Sequence, residues 1–390
     1  MKKSISTFLK RPTKDSINRS ANPPVVRAST ILFNSMQEML LHAKKIKSHK
    51  KVTHYDYGRQ GSSTTIELEH IIKKLERAHH VFLTGTGFGG IALAIMSFCR
   101  PGDEIIVSDN VYAPTRAISK ELLAEFDVNA KFYDPSNFED LKNKISSKTK
   151  MIVVENPGSN TFEFQDLSKI VSLAKKKNIL TLLDNTWGTP LYLKPLKIGF
   201  DMSFSSATKY LSGHSDAMGG TLAVNKKVFK KVMFFYRLSG YRMSSDEAYL
   251  IIRGLRTLDI RLKAHFENTK RVINFLKKQK KIKEILYPHK TSSKNYKFWK
   301  KYYSGATGLF SIVIKSKNKS SVIKFVNSLE CFGIGYSWGG FESLAILQDI
   351  KSQRNFYKFE KNEFIVRVHV GLEDPKDLIA DIKSSLKYIK

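Results

Sequence analysis

From residue 64 to residue 184 the chain alternates between short apolar runs and amphipathic stretches, and this alternation limits the available folds more than any other feature. Residues 65–79 place Ile66, Leu68, Ile71, Ile72 and Leu75 on one side of a predicted helix. Val81–Leu83 reads as a short buried strand, and a glycine loop over 85–90 opens into an apolar helix, Ile91–Cys99. After the turn Pro101-Gly102 come a strand, Glu104–Val107, and a helix through Glu121. A strand ending at Phe132, a helix near 137–146, the strand Met151–Val154, a helix near 166–177 and the strand Ile179–Leu183 complete the series. Strands separated by helices predict a mostly parallel sheet covered on both faces, an α/β fold. Such sheets bind ligands beyond the carboxyl ends of their strands. Gly85–Gly90, Tyr112, Asp184 and Ser205–Lys209 fall there.

Residues 1–60 carry no sustained periodicity and are broken at Asn22-Pro23-Pro24. They read as an N-terminal arm, too apolar to hang free, that packs on something such as another subunit. A long helical stretch over Ser245–Lys278 reads as a connector. Strands at 308–314 and 364–370, helices near 319–329 and 375–388, and glycine-rich turns follow it. The expected division is an arm over 1–60, a large domain over 61–255 and a smaller α+β domain over 256–390.

Composition then excludes whole classes. At 390 residues, 42% hydrophobic, the chain is neither collagen-like nor disordered and buries a large core without staples. Its two cysteines, Cys99 and Cys331, lie far apart in apolar stretches, which rules out a zinc ribbon or disulfide framework and predicts buried free thiols in a reducing compartment. No metal site is expected. No run reaches the roughly 18 apolar residues that span a bilayer, and Lys10, Arg11 and Lys14 precede any apolar signal core. The expected location is the cytoplasm, with no membrane partner. Lys+Arg number 66 against 35 Asp+Glu, a net charge of +31. The lysines are spread (Lys44, Lys45, Lys47, Lys50 and Lys51; Lys175–Lys177; Lys277, Lys278, Lys280 and Lys281) rather than gathered in an arginine-rich stripe with aromatics. This pattern reads as a solvated basic surface, with nucleic-acid binding as the competing reading.

Two segments carry the chemistry. Gly85-Thr86-Gly87-Phe88-Gly89-Gly90 satisfies G-x-G-x-x-G. About 80 residues precede it, and neither Glu104 nor Asp109 stands where a ribose-binding acid belongs. A phosphate at a helix N-terminus is the favoured reading; a dinucleotide site and a plain tight turn stay open. The second segment is Ser205–Asp216. A lysine after hydroxyl residues at a strand end, Lys209 behind Ser206 and Thr208, suits a Schiff base with pyridoxal phosphate. Asp184, at the preceding strand end, supplies the carboxylate that a pyridinium nitrogen requires.

With these residues the chain resembles the Cys/Met-metabolism enzymes that depend on pyridoxal phosphate, of fold type I. The resemblance runs from about Asn22 to Ile389. Its blocks are Asn22–Thr30, Tyr57-Gly58-Arg59, Asp184-Asn185-Thr186-Trp187, Ala207-Thr208-Lys209-Tyr210 with Gly213-His214-Ser215-Asp216, Tyr336–Leu344, and Arg367 within Arg367–Asp374. They are most similar to the bacterial β-lyase branch. The resemblance implies an arm, a large domain with a mostly parallel sheet, and a smaller C-terminal α+β domain.

It also implies roles. Lys209 would be the Schiff-base lysine and the base at Cα. Asp184 would pair with the pyridinium, and Tyr112 would stack on the ring. Gly87, Phe88, Ser206 and Thr208 would hold the phosphate, with Tyr57 and Arg59 reaching it from a neighbouring subunit. Arg367, in the apolar strand Phe364–Val368, would bind the substrate α-carboxylate with Ser337 and Trp338, and Tyr57 and Tyr112 would border the substrate. Two positions depart from the pattern: Phe88 stands where a smaller residue or methionine is expected, and Gly158 where a threonine is frequent.

The implied activity is carbon–sulfur β-elimination, L-cystathionine giving homocysteine, pyruvate and ammonia in methionine biosynthesis. Trp338 favours it over γ-elimination or γ-replacement. Cysteine-S-conjugate β-lyase activity is a further alternative, and a nucleic-acid-binding protein on a retired enzyme scaffold a remote one. The implied partners are an amino-acid thioether and copies of the same chain, a dimer with shared sites that pairs into a tetramer.

Overall fold

The computed structural model describes residues 4–10, 20–48, 55–288, 295–351 and 353–390. Met1–Lys3, Arg11, Lys14, Lys50 and Lys51 lie outside them.

The first long helix, Ser63–Glu76, begins where Ser62 and Thr65 cap each other's backbone N–H groups, at 2.9 and 3.3 Å. Ile66, Leu68, Ile71, Ile72 and Leu75 are all buried, so the sequence periodicity identified the core face. Seven strands follow: β1 (His80–Thr84), β2 (Glu104–Ser108), β3 (Asn129–Tyr133), β4 (Thr149–Glu155), β5 (Leu180–Asp184), β6 (Met202–Ser206) and β7 (Gly220–Val224). They form one sheet in the order β1-β7-β6-β5-β4-β2-β3. The five strands β2 to β6 run parallel, and only β7 opposes its two neighbours. Apolar helices cover both faces. Gly87–Phe98 and Lys226–Ser239 pack with Phe82, Phe204 and Leu222, while Leu167–Lys176 packs with Ile152, Val154 and Leu183.

The C-terminal part builds a second sheet, antiparallel, from β8 (Ile282–Leu286), β9 (Leu309–Lys315), β10 (Leu344–Gln348) and β11 (Glu363–His369), in the order β10-β11-β9-β8. This mostly parallel sheet with a smaller α+β part is the expected architecture.

Three expectations are corrected. The connector is two helices, Ser245–Leu255 and Leu258–Leu276. The break is fixed by Arg261, which donates to the Gly254 carbonyl at 2.8 Å, the Thr257 hydroxyl at 3.1 Å and the Tyr210 carbonyl at 3.0 Å. The arm contains helices at Ile5–Leu9 and Met36–Lys47; Leu9 packs into the core, whereas Leu32, Met36, Leu40 and Leu41 are exposed. Cys99 is buried, but Cys331 is only partly so. Burial pushes the Cys99 thiol up to about 12, so it is unreactive.

Candidate active site

Lys209 stands in a tight turn after β6. The turn is held to the start of β7 by Ala207 N–H on the Gly219 carbonyl at 2.8 Å, and closed by Gly213 N–H on the Lys209 carbonyl at 2.9 Å. The Lys209 ammonium donates to Ser337 Oγ at 2.6 Å and lies 5.5 Å from the Trp338 ring centroid. Ser337 reaches it because its segment, between Cys331 and Leu344, bends through left-handed backbone at Ser337 (φ 79°) and Gly339 (φ 91°). A Cβ on Gly339 would come within 3.2 Å of the Lys209 main chain, so glycine is required there. Ser337 has no such excuse and is strained, as residues of working sites are.

Arg367, on β11, donates to the Ser337 carbonyl at 3.0 Å and lines the cleft at the strand ends with Asp184, Glu155, Asn160 and Trp338. Among the described residues no carboxylate lies within 4 Å of it. Burial pulls the Arg367 guanidinium down to about 10. Burial, helped by the Arg367 charge, pulls the Lys209 amine down to about 8; Asp184 opposes this. Asp184 accepts from the Thr186 N–H at 2.9 Å and hydroxyl at 2.6 Å. Burial raises it to about 6. Its cross-strand partner Glu155 is pushed well above the carboxylate range by burial and by the Asp184 charge. Glu155 accepts the Tyr112 N–H at 2.6 Å. Tyr112 itself is 47% exposed and feels the charges of Arg367, Glu155 and Asp184, with its phenol raised by burial and so protonated.

The donor set fits pyridoxal phosphate. At the phosphate end, Thr86 caps the Gly89 N–H at 3.1 Å, and the N–H groups of Gly87 and Phe88 precede the first intrahelical bonds. A Cβ on Gly87 would sit 2.5 Å from Ser206 Oγ, so these two residues form one cradle. Ser206 N–H donates to Thr186 Oγ1 at 2.9 Å, which ties the cradle to Asp184. Thr208 belongs to the same turn, but its hydroxyl already bonds Gly219, accepting at 3.0 Å. Phe88 is 39% exposed and therefore intrudes on no core. Tyr57 and Arg59 are exposed; Arg59 donates to the Arg237 carbonyl at 3.2 Å. Among the described residues, neither hydrogen-bonds the Lys209 cluster.

Sequence reasoning missed two contributors. Glu155 ends β4 as Asp184 ends β5, and the strand-end signal that found one would have found the other. His369 lies two residues after Arg367, on the same face of β11; it accepts the Gly339 N–H at 3.2 Å and bonds the Glu342 carbonyl at 3.0 Å, fixing the Ser337 bend. Gly158 is explained too: the Asn110 amide fills the space its Cβ would need, at 2.0 Å, so no threonine fits.

Known proteins are similar to this chain over nearly its whole length. Residues 7–387 match the Cys/Met metabolism PLP-dependent enzyme family. The cystathionine beta-lyase of Haemophilus influenzae is 34% identical over 95% of this chain and 94% of its own. The L-alanine/L-glutamate racemase of Wolbachia pipientis is also 34% identical, over 94% and 92%. The crystal structure of a cystathionine gamma synthase from Xanthomonas oryzae, in complex with aminoacrylate and cysteine, superposes with a TM-score of 0.89 at 25% identity, covering 100% of this chain and 99% of the other. The chain belongs to the Cys/Met-metabolism, pyridoxal-phosphate-dependent enzymes.

Proposed function

We propose that this chain is a carbon–sulfur lyase that β-eliminates L-cystathionine to homocysteine, pyruvate and ammonia. The observation that carries the reading is Ser337-Trp338 set against the Lys209 amine beside an Arg367 that has no carboxylate partner among the described residues. Bound pyridoxal phosphate supplies an electron sink that makes the substrate Cα–H acidic. Gly87, Phe88, Ser206 and Thr208 would hold its phosphate, Asp184 would pair with its ring nitrogen and Tyr112 would stack on its ring. Arg367 grips the α-carboxylate with its planar fork. Lys209, a weak base at neutral pH because burial lowers it to about 8, takes the Cα proton. The departing sulfur receives a proton from Lys209 or from the Tyr112 phenol. Trp338, in the cleft wall beside the Lys209 amine, favours β- over γ-chemistry in this reading.

Racemisation is the second reading, favoured by the Wolbachia relative, as similar to this chain as the Haemophilus lyase. It needs the Cα proton returned on the opposite face, a task that a second acid such as the Tyr112 phenol would perform. One experiment separates them: the cofactor-loaded protein is incubated in deuterium oxide with L-cystathionine, L-alanine and L-glutamate. Pyruvate from cystathionine supports the lyase. Deuterated D-amino acid without pyruvate overturns it in favour of the racemase.

The same reading makes the active unit a dimer with shared sites that pairs into a tetramer, in the cytoplasm, and divides the chain at 60 and 255. Exposed Leu32, Met36, Leu40 and Leu41 of the arm, with Phe234 and Leu238 of the helix Lys226–Ser239, support an interface with another copy. Among the described residues no helix is long and apolar enough to cross a membrane. Mixing inactive Lys209→Ala with inactive Arg59→Ala subunits should restore part of the activity, because one hybrid site keeps both residues. No recovery under verified subunit exchange refutes the shared site.

A further inference from the structure

A buried ionic cluster lies behind the cleft and takes no part in the chemistry above. The β10–β11 hairpin carries Arg367 on one strand, and its connecting loop carries Arg354, whose side chain is only 4% exposed. Arg354 Nε donates to Asp109 Oδ2 at 2.8 Å, one terminal nitrogen donates to Glu163 at 2.9 Å, and the other bonds the Thr161 hydroxyl. The N–H groups of Asn355 and Phe356 reach the same Asp109 carboxylate at 3.0 to 3.2 Å. Arg116 closes its other side at 3.0 Å. Asp109 is fully buried, and these partners hold its carboxyl below the usual range despite that burial.

Both ends of this bridge belong to loops that shape the cleft. Asp109 stands three residues before Tyr112. Thr161 and Glu163 close the loop whose Pro157–Asn160 segment lines the cleft. The loops are themselves tied together, Ser159 N–H on the Asn110 carbonyl at 2.7 Å and the Asn110 amide on Glu163 at 3.4 Å. We propose that Arg354 is a positioning residue: it locks the hairpin that carries Arg367 onto the two large-sheet loops that carry Tyr112 and Asn160. The carboxylate grip and the ring-covering tyrosine thereby hold one fixed separation. A planar fork that meets two carboxylates and a hydroxyl does this where an ammonium cannot. A misplacement of about 1 Å costs on the order of 100-fold in rate, which sets the scale of the effect.

The inference rests on the site reading above, and its test separates the two. Cofactor-loaded Arg354→Met should show a shifted visible cofactor band, since the Tyr112 ring moves, with KM for the amino acid raised about tenfold and kcat lowered about tenfold. Arg354→Lys should recover only part. Wild-type spectrum, KM and kcat per loaded site in both variants would overturn the proposal, whatever their melting temperatures. If neither variant folds, Glu163→Gln removes one arm of the bridge and leaves the Asp109 contact. A shifted band with raised KM in it supports the proposal, and wild-type values overturn it. The band reports on Tyr112 without any substrate. A wild-type protein inactive on cystathionine and on the racemase substrates would therefore sink the activity reading and leave this one standing.

Discussion

Arg354 and Arg367 belong to one β-hairpin, and the molecule treats them in opposite ways. Arg354 is enclosed by Asp109, Glu163 and Thr161, every nitrogen engaged. Arg367, 13 residues on, has one backbone carbonyl and a cleft. The same division runs through the surrounding residues. Asp109 and Arg116 are paired; Lys209 and Asp184 sit half-buried, Asp184 in the cleft wall and Lys209 on the Ser337 hydroxyl, without an ion pair among the described residues. A desolvated charge without a counter-ion is costly to hold in a fold. It persists where a ligand supplies the missing partner. Paired charges here fix geometry, and unpaired ones carry the chemistry.

The largest expected effect tests the unpaired side. Lys209→Ala should lower turnover by on the order of 10⁴-fold or more while circular dichroism stays unchanged, because the covalent anchor and the base are lost together. Activity near wild type would remove Lys209 from the mechanism. Arg367→Leu should lower kcat/KM by about 100-fold, chiefly through KM, and leave the melting temperature unchanged or higher. Asp109→Asn breaks the comparison if it behaves the same way. It should instead cost about 3–5 kcal/mol of stability, read from denaturant unfolding, because the buried Arg116 and Arg354 both lose the Asp109 charge and Arg354 keeps only Glu163.

The division also marks what was legible in the sequence. Lys209, Asp184 and Arg367 each stand in a short local signal: hydroxyls before a lysine, a carboxylate at a strand end, a cation inside an apolar strand. The parallel strands were equally visible, because each is a run of apolar residues bounded by turn residues. The Arg354 bridge was not. Asp109, Glu163 and Arg354 look like surface charges in a basic chain, and what brings them together is the meeting of two sheets, a contact with no local pattern. The helix break at Arg256-Thr257 escaped for a similar reason. No proline marks it, and Arg261 makes it by reaching the Tyr210 carbonyl, a residue far away in sequence. The arm helix Met36–Lys47 was missed because its apolar residues lie on an exposed face, Met36, Met39, Leu40 and Leu41, which a core-seeking periodicity does not recognise.

The smallest expected effect is a pair of opposite shifts in pH dependence. Capture of the cofactor by the cofactor-free protein needs the neutral Lys209 amine. With that amine at about 8, about a tenth of the molecules are competent at pH 7 and about nine-tenths at pH 9. The rate of cofactor uptake should therefore rise with pH through 8. Arg367 favours loss of the Lys209 proton and Asp184 favours its retention. Arg367→Leu removes the repelling cation, so its uptake profile should move to higher pH. Asp184→Asn removes the attracting anion, so its profile should move to lower pH. Stopped-flow absorbance of cofactor uptake from pH 6.5 to 9.5 reads all three curves. Removing the paired Arg354 should move the midpoint less than removing Arg367 does, since its own charge is already balanced by Asp109 and Glu163. A midpoint that follows Arg354 and ignores Arg367 would show that pairing does not divide the charges of this hairpin by task.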